Sequence, residues 1–188
     1  MHKKNGLVEI IAAAMTLGFL AGCATLAPEA RREQAETIIR HWSDPSRLTA
    51  AKLIEEYGPP DEARYGRLIW DRKGPWAKTM VWDVAADELK RGTPDFIEQT
   101  VSFSVPATME PALAAFSDRV RVDEKGGRFS VRSDSEEKNF LTANLVYEVV
   151  AGIKNPAQAA RFYEETIRFA LAGKSSPYMQ TLLFLPRP

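Results

Sequence analysis

Beyond residue 2 the chain offers one histidine, His41, and its only cysteine is Cys23, so a Ser-His-Asp or Cys-His arrangement would depend on a single imidazole. His41 falls at the end of a polar, helix-like run, where a histidine commonly meets the helix dipole or solvent. Zinc sites draw on several His and Cys ligands, which this composition lacks. Carboxylates are plentiful: Asp83, Asp87 and Glu88 follow an expected strand, and Asp134, Glu136 and Glu137 open an expected helix. The first group lacks calcium-loop spacing, and the second follows the bias of acids toward helix starts. Gly126-Gly127 sits between two expected strands, where a hairpin turn accounts for it without a phosphate loop. A carboxylate-dependent hydrolase would need two carboxyl groups facing each other across a cleft, so it ranks last; no catalytic residue, metal or cofactor is expected.

Three tryptophans and one asparagine stand out for binding. Strand alternation places Trp76, Met80 and Trp82 on one face with Lys78, and Leu68 with Trp70 on a face of the neighbouring strand. Such rings fill a sheet-on-helix core or, where partly open, stack on a ligand, so Trp70, Trp76 and Trp82 are the candidate ligand or partner surface. In the expected helix from Ser135 to Ala151 the apolar positions cover most of the circumference, leaving Glu137, Asn144 and Glu148 as a narrow polar stripe. Asn139 projects between Val146 and Val150 and is the candidate buried polar side chain, whose amide would need partners.

The elements that carry these residues follow from periodicity and punctuation. Pro28 opens a helix reaching Trp42, Asp44-Pro45 interrupts it, and a second short helix runs from Thr49 to Tyr57 before Gly58 and two prolines. Arg64 to Asp71 and Trp76 to Val84 read as a hairpin around the turn Arg72-Lys73-Gly74-Pro75, and Phe96 to Val105 as a third strand. A short helix over Pro106 to Phe116 and a second hairpin, Arg119 to Asp123 with Arg128 to Arg132, come next. Ser133 and Glu136 have capping-box spacing ahead of a helix ending at Gly152; Asn155-Pro156 opens another that lasts to Gly173; Tyr178 to Leu185 reads as a final strand. Strands joined mainly by tight turns imply an α+β fold, an antiparallel sheet built from hairpins with helices packed on one side.

The amino terminus has a basic start at Lys3 and Lys4, an apolar stretch from Ile10 to Leu20, and small residues before Cys23. That stretch is about half of the ~20 residues a spanning helix needs, as in a cleaved secretory signal. Leu20-Ala21-Gly22-Cys23 resembles the lipobox of bacterial lipoprotein precursors. The resemblance implies acylation of Cys23, cleavage before it, and a domain held outside the cytoplasm by its lipid. By likeness to the sorting rule of double-membrane bacteria, Ala24 after the cysteine implies the outer membrane. Residues 1–22 would be the signal peptide, 23–45 a lipidated segment with its helix, and 46–188 a single domain.

Twenty-five basic residues balance 25 acidic ones, and no basic run tracks phosphates, which argues against nucleic acid. The stretch Thr49 to Trp82 is similar to the start of small lipoproteins that assist barrel assembly, and Glu98 to Leu171 is similar to uncharacterised bacterial lipoproteins. The expected function is a non-catalytic, membrane-anchored envelope lipoprotein that binds a protein partner, with Met179 to Leu185 as an edge for β-addition. The alternative is a lipid- or glycan-binding lipoprotein with a pocket between sheet and helices.

Overall fold

A computed structural model describes residues 27–92, 94–123, 125 and 127–186. Cys23 and the apolar segment before it lie outside the described residues. Among those described, no helix is long and apolar enough to cross a membrane.

The fold is α+β. Two helices come first, α1 (Pro28–Ile39) and α2 (Asp44–Tyr57). They are followed by β1 (Glu62–Arg64), β2 (Arg67–Lys73) and β3 (Trp76–Trp82), a short α3 (Ala86–Lys90), and β4 (Ile97–Ser102). Then come α4 (Glu110–Phe116), β5 (Val120–Val122), β6 (Arg128–Ser133), α5 (Glu136–Val150) and α6 (Pro156–Leu171). The strands form one antiparallel sheet in the order β1-β2-β3-β4-β6-β5.

Register fixes which residues share a face. Leu68, Trp70, Thr79, Val81, Ile97, Gln99, Val101, Phe129 and Val131 point to the helices and are buried. One half of this face packs with Ala35, Ile39, Trp42, Leu53 and Ile54 of the first two helices and their connection, the other with α5. α1 therefore belongs to the same packing as the chain beyond residue 46. At about 25 cal/mol per Å² of apolar surface, this burial is the main stabilising contribution in a chain with no disulfide.

Several local expectations change. Asp44-Pro45 starts α2 instead of separating two helices, because proline is compatible with a first helical turn. The N-cap of α5 is Ser135, whose hydroxyl accepts from Lys138 N; Ser133 ends β6 and turns its hydroxyl inward. Strand β1 and helix α3, three and five residues long, are too short to leave a periodic signal in the sequence.

The largest correction concerns the carboxyl-terminal segment. Residues 178–185 form no strand; a 3-10 turn at Pro177–Met179 leads into an irregular segment along α5. Asn144, read as part of an exposed stripe, is buried beneath it. Its Nδ2 donates to the carbonyls of Tyr178 (3.1 Å) and Thr181 (2.9 Å), and its Oδ1 accepts from Leu183 N at 2.7 Å. One side-chain amide thus supplies what a neighbouring strand would otherwise supply. Tyr147 and Phe184 stack at 4.7 Å, and the Tyr178 hydroxyl donates to Glu148 at 2.7 Å. The edge expected for β-addition is therefore occupied by the protein's own α5.

Candidate functional site

The polar groups of the interior converge on α5. Glu136, 6% exposed in its first turn, accepts three hydrogen bonds at Oε1: from Trp76 Nε1 (2.6 Å), Gln99 Nε2 (2.5 Å) and Tyr57 Oη (2.8 Å). Burial pushes its carboxyl above the ordinary glutamate value, and the donors from Gln99, Tyr57 and Trp76 pull the other way without cancelling it. The Tyr57 hydroxyl is held far above its usual range, first by burial and then by the neighbouring Glu136 charge.

From Glu136 the network continues inward. Asn139 is fully buried, as its place on the helical wheel suggests; its Nδ2 donates to Gln99 Oε1 at 3.0 Å, and its Oδ1 accepts from the Ser133 hydroxyl at 2.7 Å. Gln99 also reaches Thr79 Oγ1 at 3.4 Å. Every member spends its hydrogen-bonding capacity on another element, so the network ties α2, the β2–β3 hairpin, β4 and β6 to one helix. It orients α5 on the sheet. The signal for Gln99 was present in the sequence, since it takes the inward parity between Ile97 and Val101.

The three tryptophans part company. Trp70 is buried on the helix side of β2 and donates from Nε1 to the carbonyl of Gly58 at 2.9 Å. Trp76 does not share a face with Met80 and Trp82; it is buried toward the helices, with Phe140 4.8 Å from its ring and Glu136 on its nitrogen. Trp76 is the first residue of β3, directly after a turn in which Arg72 (φ +51°) and Gly74 (φ +55°) leave the extended conformation, so simple alternation fails there. Only Trp82 faces away from the helices, half-buried, with the Arg132 guanidinium 5.5 Å from its ring. Trp70 and Trp76 leave no surface for a ligand between sheet and helices.

The acidic groups and the histidine are distributed similarly. Asp83 accepts from Ser43 N at 2.8 Å, Asp87 pairs with Arg91, and Glu88 caps α3 through Ala85 N. Asp134 pairs with Lys138 and Glu137 with Lys52, while His41 is exposed after α1. Among the described residues no three His, Cys, Asp or Glu side chains lie close enough to hold a metal. A cavity of about 350 Å³ lies between α4, the start of β5 and α6, lined by Arg119 and Tyr163; Arg119 is already paired with Asp95 at 3.2 Å.

What remains is the face of the sheet opposite the helices. Register places on it Glu62, Arg64, Arg67, Ile69, Asp71, Lys78, Met80, Trp82, Glu98, Thr100, Ser102, Arg121, Arg128, Ser130 and Arg132. Ile69 is buried among its neighbours, but the other side chains are exposed or half-exposed. The chain as a whole is neutral, yet its charge is divided between layers: the strands hold eight basic and three acidic residues, the α-helices eight basic and fourteen acidic. Glu62 and Glu98 are matched by Arg64 and Arg132, whereas Arg67, Lys78, Arg121 and Arg128 pair with no described carboxylate. The division is invisible in a linear charge count because alternation spreads these residues through short strands.

No protein-family model, no curated protein and no solved structure matches the chain.

Proposed function

We propose that the protein is a non-catalytic envelope lipoprotein, anchored by acyl chains on Cys23, that works as a binding module through the uncovered face of its sheet. The observation that carries this reading is the division of labour between the two faces. The inward face and its polar network are spent on packing, while the outward face presents basic side chains and, at its margin beside α3, the half-buried Trp82; neither described core cluster is built on that face. The Leu20-Ala21-Gly22-Cys23 sequence supplies the anchor. A protein partner joined through the carboxyl-terminal segment is no longer part of the proposal, because Asn144 holds that segment's backbone.

Intact mass and membrane fractionation of the native protein beside a Cys23→Ser variant test the anchor. Acylation and cleavage before Cys23, both lost in the variant, are expected; a soluble native protein of unmodified mass would overturn it. Photo-crosslinking from Thr100 on the open face, compared with Gln34 on α1, tests the working surface. Adducts are expected from Thr100, and adducts from Gln34 alone would refute that assignment.

A further inference from the structure

We propose that the open sheet face, together with the β1–β2 turn at its margin, rests on an anionic phospholipid surface. The choice of a membrane as occupant rests on acylation of Cys23; the charge on the face stands independently of it.

Tether length is the first argument. α1 begins at Pro28, five residues after Cys23. Five trans peptide steps reach at most about 18 Å, so an acylated Cys23 keeps the start of α1 within that distance of the headgroups. The chain enters the domain at the β1 margin, where the first turns of α1 are fixed by Arg31 to the Pro60 carbonyl and to Asp61, both at 3.4 Å. Asp61 immediately precedes β1, so the start of α1, from which any tether runs, lies beside the outermost strand.

At that margin the β1–β2 turn carries Tyr65, 98% exposed, between Arg64 and Arg67. Arg67 pairs across the sheet with Trp82, and Arg132 lies over the Trp82 ring. Two amphipathic aromatics flanked by three arginines match the composition of a membrane–water interface, where the rings sit among headgroups and the cations meet phosphates. Lys78, Arg121 and Arg128 extend the positive charge toward the far strands.

Charge on the opposite layer fixes the orientation. The helices carry an excess of acidic residues, so an anionic surface attracts the sheet side and repels the helix side. Screening acts over about 10 Å at moderate salt, so a short tether keeps the face within range of that field for most of the time.

Vesicle sedimentation of the full chain carrying Cys23→Ser tests this without acyl chains. The vesicles are phosphatidylcholine alone or phosphatidylcholine mixed with phosphatidylglycerol. The uncleaved apolar segment is common to every variant, so differences between variants read the face. Binding is expected to be stronger to phosphatidylglycerol vesicles, and that excess is expected to fall as salt rises and to be lost in variants of the face. The triple variant Arg67→Gln, Lys78→Gln, Arg128→Gln is expected to bind about a hundred-fold more weakly, at about five-fold per cation. Tyr65→Ala is expected to weaken binding several-fold, and Arg161→Gln with Arg168→Gln on α6 to leave it unchanged. Thermal melting checks that each variant is folded. Equal binding to both vesicle types, or a triple variant that binds like its parent, would overturn the proposal. An unmodified Cys23 in native protein would instead overturn the anchor, and the vesicle assay would still report on the face.

Discussion

Trp76 and Glu136, 60 positions apart in the sequence, meet with the indole nitrogen 2.6 Å from the carboxylate oxygen. The bond joins the β2–β3 hairpin to the first turn of α5, and Gln99 and Tyr57 complete the set on the same oxygen. Replacing Glu136 with Ala would leave three donors without an acceptor, each at about 1–3 kcal/mol when buried. Urea unfolding is expected to show a loss of about 3 kcal/mol or more for Glu136→Ala, with Glu136→Gln milder because its carbonyl oxygen still accepts.

The same carboxyl gives a pH signature. Its folded value is raised by burial, so the folded protein holds the Glu136 proton more tightly than the unfolded chain does. Stability relative to Glu136→Gln is therefore expected to fall as pH rises from the ordinary glutamate value to the raised one, and to be flat above it. A difference curve rising with pH across that window would contradict the assignment.

The two outermost tryptophan environments predict different outcomes. Trp70 is fully buried and its nitrogen is bonded to Gly58, so Trp70→Ala is expected to cost about 3–5 kcal/mol in chemical denaturation. Trp82 is half-buried at the edge of the helix-side cluster, and Trp82→Ala is expected to cost less than Trp70→Ala, about 1–2 kcal/mol, while weakening vesicle binding.

Gly74 has two reasons to be glycine. Its φ is +55°, and an added Cβ would lie 3.0 Å from the Tyr57 ring, whose hydroxyl belongs to the Glu136 network. Gly74→Ala is expected to destabilise by more than about 1 kcal/mol and to lower the melting temperature, where an open left-handed turn would lose about 1.

Much of the fold was legible because its signals are local. Gly58, Gly74 and Gly152 mark boundaries through backbone conformations few other residues adopt, and Asn155-Pro156 through a side-chain cap and a proline in the first turn. The burial of Asn139 was legible from helical spacing. What alternation could not give was Trp76, which opens β3 directly after a turn where Arg72 and Gly74 leave the extended conformation. The apolar composition of residues 178–185 suggested a strand, but a strand needs a partner edge, and these residues found Asn144 instead. The open basic face depends on which residues become neighbours across strands, so no window along the chain contains it.

Asn144→Ala is expected to free the carboxyl-terminal segment by removing all three bonds to it. Limited proteolysis is expected to trim the variant beyond α6 well before the parent protein is cut, with faster amide exchange at Leu183.

That clamp also sets a timetable. Tyr178, Phe184 and the backbone between them cover α5, yet in the sequence they come after both α5 and α6. A growing chain cannot close its core over α5 until this later segment has left the ribosome. Until then it stays open, the state in which a polypeptide can still be threaded through a narrow channel.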